Sequence, residues 1–160
     1  MEQMTSDEKR ALKRRMKTAS RLYAVQALFQ MESAGQTLDK VQVEFETHRF
    51  GMVTEEGAFE EGNPTVFRAL LESAVSHQVK IDQMTDRALV ETWPLGRIDP
   101  TLRAIFRAAG GELLAGETPP KVVIVEFVEI ARAFFPEGKE AGFVNAVLDH
   151  MARVARPEAF

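Results

Sequence analysis

Apolar residues return every three or four positions along most of the chain, while strand-like alternation is scarce. That period gives each segment one apolar stripe, so the chain is constrained to bury helix against helix. The expected fold class is all-α, with about seven helices. Thr5 and Glu8 form a capping-box pair at the head of a first helix that runs from about Ser6 to Glu32 and stops at Gly35. Leu12, Met16, Ala19 and Tyr23 mark its stripe, and Tyr23 reads as core. Leu38, Val41 and Phe45 mark a short second helix, and residues from about Phe50 to Gly62, rich in glycine and glutamate, read as a loop.

Asn63-Pro64 and Asp99-Pro100 each place an N-cap before a proline at the first helical position. The third helix buries Phe67, Leu70, Leu71 and Ala74; the fifth buries Leu102, Ile105, Phe106 and Leu113. Between them a fourth spans Ile81 to about Trp93, stopped by Pro94. Gly110-Gly111 weakens the fifth by about 1 kcal/mol per glycine, and either permits close packing or ends the helix early. Thr118-Pro119-Pro120 opens a sixth helix, although Val122-Val123-Ile124-Val125 has strand propensity. After a turn at Pro136-Glu137-Gly138 comes a seventh, with Phe143, Val144, Val147, Leu148, Met151 and Val154 on its apolar stripe, and the tail past Pro157 is expected to fray.

At 160 residues the chain suits one domain, or two small lobes sharing a core. It has no cysteine, which excludes disulfides, thiolate nucleophiles and cysteine-type zinc sites. No apolar run approaches the roughly 18 residues of a membrane span, and the charged N-terminus has no apolar signal core. A soluble, cytoplasmic protein with no membrane association is expected. His48, His77 and His150 stand far apart, and there is no phosphate-cradling glycine loop, GxSxG elbow or HExxH. Glu126 and Glu129 could do acid–base work, but Glu129 and Arg132 are spaced for a surface ion pair. No catalytic residue, cofactor or metal is expected.

The charge distribution is more telling. From Lys9 to Arg21 there are seven Lys/Arg and no acid. Removing those seven from the 20 in the chain leaves 13 against 24 Asp/Glu, a balance of −11 on a chain whose total is −4. A basic arm on an acidic body suits a polyanion partner, and a solvated helix face suits it too. At about 100° per residue, six of the seven cations fall within an arc of about 140°, and Arg15 lies outside it.

Several blocks resemble the NusB transcription antitermination family. They are Arg21-Leu22-Tyr23-Ala24-Val25-Gln26-Ala27-Leu28-Phe29, Val66-Phe67-Arg68-Ala69-Leu70-Leu71 and Trp93-Pro94-Leu95-Gly96-Arg97-Ile98 with Arg103-Ala104-Ile105-Phe106-Arg107 and Glu112-Leu113. Pro120-Lys121-Val122-Val123-Ile124 running on to Glu129-Ile130-Ala131-Arg132, and Phe143-Val144-Asn145-Ala146-Val147-Leu148-Asp149, complete the series. The blocks keep the family order and cover nearly the whole chain. Departures stand at Leu102, where an acid is common, at Gly111, where an aromatic is common, at Lys139, in a loop often acidic, and at Ala146, usually glycine.

The resemblance implies one domain over residues 1–160 made of two packed helical lobes, 6–79 with the basic first helix and 80–156. It implies binding of single-stranded boxA RNA together with NusE, the tenth protein of the small ribosomal subunit. The complex helps RNA polymerase read through terminators in ribosomal RNA operons. Lys13, Arg14, Lys17 and Arg21 are the expected phosphate contacts, exposed and of little weight in folding. Phe143 and Asn145 join them by resemblance, Phe143 as a base-stacking ring or a core residue, Asn145 as a base contact or a helix brace, and Lys139 joins them as a departure from the family pattern, a cation that would strengthen RNA contact. Two other readings stay open: a helical adaptor that binds proteins only, and a NusB-like accessory domain of an RNA methyltransferase, which would need a cofactor domain and cysteine chemistry.

Overall fold

The computed structural model describes residues 3–89 and 98–160. Among them are seven α-helices: α1 (Ser6–Ala34), α2 (Leu38–Glu44), α3 (Pro64–Ser76), α4 (Gln78–Ala88), α5 (Pro100–Ala115), α6 (Pro120–Phe134) and α7 (Glu140–Ala155). The capping signals act where they stand. Thr5 Oγ1 accepts from the Glu8 N–H at 3.1 Å, Asn63 Oδ1 from the Thr65 N–H at 3.0 Å, and Asp99 Oδ1 from the Thr101 N–H at 2.7 Å. At the far end of α1, Gly35 closes the helix at φ 68, a left-handed turn that glycine adopts without strain.

Three segments differ from the sequence expectation. The presumed loop after α2 first continues as a π-turn (Phe45–Arg49), then makes a small antiparallel hairpin, Val53–Thr54 with Gly57–Ala58. Helix α4 begins at Gln78, a turn earlier than expected, and ends at Ala88; Trp93 and Pro94 lie outside the described residues. The tail does not fray at Pro157. It closes in a short 3-10 turn (Pro157–Ala159), Arg156 pairs with Glu158 at 2.7 Å, and the Arg153 guanidinium sits over the Phe160 ring. In α6 the strand-prone valines are helical because helical spacing sends Val123, Ile124, Phe127 and Val128 inward, leaving Val122 and Val125 exposed.

Helix α5 is the axle. It packs against α1, α3, α4, α6 and α7, so one continuous core joins both halves of the chain. From Ala104 to Leu113 it is buried on every side except at half-buried Arg107, as a central helix must be. Phe106 is fully buried on it, while Tyr23, Phe45, Phe50 and Phe67 form a second aromatic cluster with ring centroids 4.9 to 6.3 Å apart.

The two glycines do not end α5; they let neighbours come close. A Cβ on Gly110 would stand 2.5 Å from Ile81 Cγ2, and one on Gly111 would stand 2.9 Å from the backbone nitrogen of Ala74. The second obstacle is backbone, so α3 itself would have to shift. We therefore expect Gly111→Ala to destabilise the fold by about 1–3 kcal/mol in a denaturant titration, because overpacking outweighs the ~1 kcal/mol gain in helix propensity. Unchanged or raised stability would show that α3 does not seat on this glycine.

Candidate nucleic-acid interface

Helix α1 leaves the body before it joins it. Its first buried residue is Ala19, so the opening turns, with their cations, stand in solvent. Lys13, Arg14 and Lys17 are exposed, Arg10 pairs with Asp7 at 2.5 Å, and Arg15 pairs with Glu60 at 2.9 Å. Lys13 and Lys17 lie one turn apart on the expected arc, a spacing that serves successive anions.

Arg21, one turn further along that arc, corrects the expectation. It is 5% exposed. Its Nε and Nη2 each donate to the Glu112 carboxylate at 2.8 Å, and Nη1 lies 3.3 Å from Glu126. Thr118 Oγ1 donates to Glu112 at 2.7 Å, and Thr18 Oγ1 donates to Glu126 at 3.2 Å. Burial works against the guanidinium charge, but the Glu112 bonds and the two carboxylate charges outweigh it, and the pKa of Arg21 stands above its ordinary value. The side chain that was expected to meet phosphate instead ties α1 to α5 and α6.

The sequence carried a signal for this. Glu112 interrupts an otherwise apolar stretch, Ala108-Ala109-Gly110-Gly111-Glu112-Leu113, and a carboxylate there demands a cation. Arg107, in the same helix, is also used internally, with its Nε and Nη2 on Asp82 of α4 at 3.0 and 2.9 Å, and Arg103 pairs with Glu32 of α1. Glu129 does pair with Arg132, as its spacing suggests, whereas Glu126 belongs to the Arg21 network.

The remaining expected contacts lie elsewhere. Lys139 is exposed just before α7, and Phe143 is half-buried on the first turns of that helix, edge-to-face on Phe106 with centroids 6.0 Å apart. Together with Leu102, Ile98, Asp99 and Glu140 they line a cleft of about 390 Å³. Asn145 and Ala146 are exposed, so the extra methyl at Ala146 meets solvent. Leu102 is buried at the edge of this cleft, where its side chain adds apolar wall in place of a charge. Lys17 and Arg21 line a different groove, beside Glu112 and Thr118 at the other end of α5. From Leu102 to Glu112 is ten residues of helix, or about 15 Å of axis, so the α1 cations and the α7 cleft are two separate patches.

Breaking the network from one side leaves a carboxylate buried without its cation. Arg21→Ala is expected to cost about 3–5 kcal/mol of stability, while Lys17→Ala costs little. Pairing Arg21→Met with Glu112→Leu should recover most of the loss in thermal and denaturant unfolding. A fully stable Arg21→Ala protein would contradict the buried ion pair.

The NusB family model matches residues 18–153. The chain is 45% identical over 142 residues to the transcription antitermination protein NusB of Agrobacterium fabrum, covering 88% of this chain and 86% of that protein. It is 47% identical over 141 residues to the protein of the same name from Brucella abortus strain S19, covering 88% and 82%. Among solved structures, NusB of T. maritima superposes with a TM-score of 0.71 at 27% identity, covering 90% of this chain and 96% of that one. A chain of the crystal structure of antitermination factors NusB and NusE in complex with dsRNA superposes with a TM-score of 0.69 at 20% identity, covering 88% and 98%, a likeness of fold. The family model covers most of the chain and these relatives match it at 45% and 47% identity, and the chain belongs to the NusB family.

Proposed function

We propose that this chain is a transcription antitermination factor that holds single-stranded leader RNA of the boxA type together with NusE, within the complex that carries RNA polymerase through terminators. The observation that carries the reading is the basic arm of α1, which projects Lys13 and Lys17 into solvent from a body that is otherwise acidic. Cations so placed neutralise phosphates and release counterions, which gives affinity without sequence preference. Relatives that match nearly the whole chain carry the antitermination name, and a solved protein of this fold is paired with NusE and double-stranded RNA.

Recognition of particular bases needs rings and hydrogen-bonding groups. The cleft at the start of α7 offers Phe143 with Lys139 beside it, and Asn145 exposed on the same helix. In this reading the α1 arm holds the backbone and the α7 end supplies base contacts. The protein works in the cytoplasm, where the transcript and the ribosomal protein are, as a binding factor and not an enzyme. Among the described residues no helix is long and apolar enough to cross a membrane.

Replacing Lys13 and Lys17 with alanine should weaken binding of boxA-type and unrelated single-stranded RNA by similar factors. The slope of log affinity against log salt should fall by about 0.7 per lysine lost, with stability nearly unchanged. Phe143→Ala should instead cost about 1–3 kcal/mol of binding with the slope unchanged, in a protein whose folding is checked because the ring also packs on Phe106. Fluorescence anisotropy across a salt series reads both effects. An affinity and slope that survive the double lysine substitution would place RNA binding on another face, and a protein that binds no RNA in this assay would put the protein-only adaptor reading ahead.

A further inference from the structure

The cation that falls outside the basic arc is Arg15, and its Nε donates to Glu60 Oε1 at 2.9 Å across 45 residues of chain. Glu60 is held in place independently of that pair. Its carbonyl accepts from the Tyr23 hydroxyl at 2.7 Å, and three residues further on the Asn63 N–H donates to Ser20 Oγ at 2.8 Å. Two bonds from neighbouring turns of α1 thus pin the end of the acidic segment that follows the hairpin. That segment carries Glu60 and Glu61, and the hairpin turn before it carries Glu55 and Glu56.

Arg14 and Arg15 look into a groove beside α1 whose floor is apolar, with Ala11, Leu22 and Ile130. Its rim is acidic on both sides: Glu60 from the hairpin segment, Glu126 and Glu129 from α6. Glu126 already answers Arg21 and Glu129 answers Arg132. A phosphate chain laid in this groove would meet carboxylates on either wall, and at Arg15 it would meet the Glu60 charge beside the guanidinium. Like charges at such range repel, and water screens them only in part.

We propose that Glu60, fixed on α1 by Tyr23 and Ser20 and faced by the α6 glutamates, is a fence that sets the edge of the RNA footprint. It withholds Arg15 from phosphate and confines the RNA backbone to the Lys13 and Lys17 side of the helix. The consequence is specificity. Each cation removed from the backbone lowers the affinity shared by all sequences and leaves base contacts to decide among them. The inference rests on the RNA-binding reading above, and its test separates the two.

Glu60→Gln keeps the size and removes the charge. Affinity for an unrelated single-stranded RNA should rise roughly twofold to fivefold at low salt, the range an exposed ion pair commands. The salt slope should steepen by about 0.7 as Arg15 reaches a phosphate. Arg15→Ala alone should leave affinity and slope as in the unaltered protein, and added to Glu60→Gln it should abolish the gain. Both side chains of the pair are about half exposed, so melting temperatures should barely move. RNA binding unaffected by Glu60→Gln would overturn the fence alone, as would a slope that flattens by about 0.7 on Arg15→Ala in the otherwise unaltered protein. A protein that binds no RNA at all would overturn both readings.

Discussion

Arg21 carries a full charge into the core, and the junction of three helices is arranged around it. A guanidinium with five donors is tolerable out of water only where carboxylates and hydroxyls are already fixed to receive it. Glu112 supplies two acceptors from α5, Glu126 a third from α6, and Thr118 and Thr18 hold those carboxylates in turn. Because each contributor sits on a different segment, the network fixes the depth and rotation at which α1 enters the body. It therefore also fixes which turns of α1 stay outside. Lys17 is one turn before Arg21 and exposed; Arg21 is buried. The boundary between a cation that can meet RNA and one that holds the fold falls between those two residues.

The centre of the fold uses the opposite means. Along α5 close approach comes from having no side chain, at Gly110 and Gly111, which lets Ile81 and the backbone of Ala74 lie against the helix. A side chain at Gly111 would meet the backbone of Ala74, and α3 could not seat as it does here, so the glycine and the α3–α5 spacing belong together. Leu102 and Lys139 alter the other end of α5 in a similar local way. One adds an apolar wall and the other a positive charge to the same cleft.

Much of the fold was legible because it depends on local rules. Thr5, Asn63-Pro64 and Asp99-Pro100 announce their helices by chemistry that acts within three residues. The valines of α6 were ambiguous only in propensity, and helical burial decided them. What escaped was long-range. A helical wheel gives the angle of Arg21 but not which neighbours cover that angle, and the arc that is open at Lys13 is roofed one turn after Lys17. Arg15 stood apart on the wheel, yet nothing local tied it to Glu60, and the hairpin that brings Glu60 there is too short to leave a strand pattern. Of the expected site residues, Lys13, Arg14, Lys17, Lys139 and Asn145 stand exposed, Phe143 half so, and Arg21 not at all.

The surface that results is divided by charge along one helix. One side of α1 offers lysines; the other is a groove edged by glutamates and occupied by the Arg15–Glu60 pair. An RNA on this protein should run on the first side and reach toward the cleft at α7. Amide chemical shifts of the isotope-labelled protein, followed as a boxA-type single strand is added, map that path directly. Shifts are expected at Lys13, Lys17 and the start of α7 around Lys139 and Phe143, with Met52 to Glu61 and the groove face of α6 undisturbed. Shifts centred on the hairpin and on Glu126 to Ala133, with Lys13 and Lys17 silent, would contradict that path.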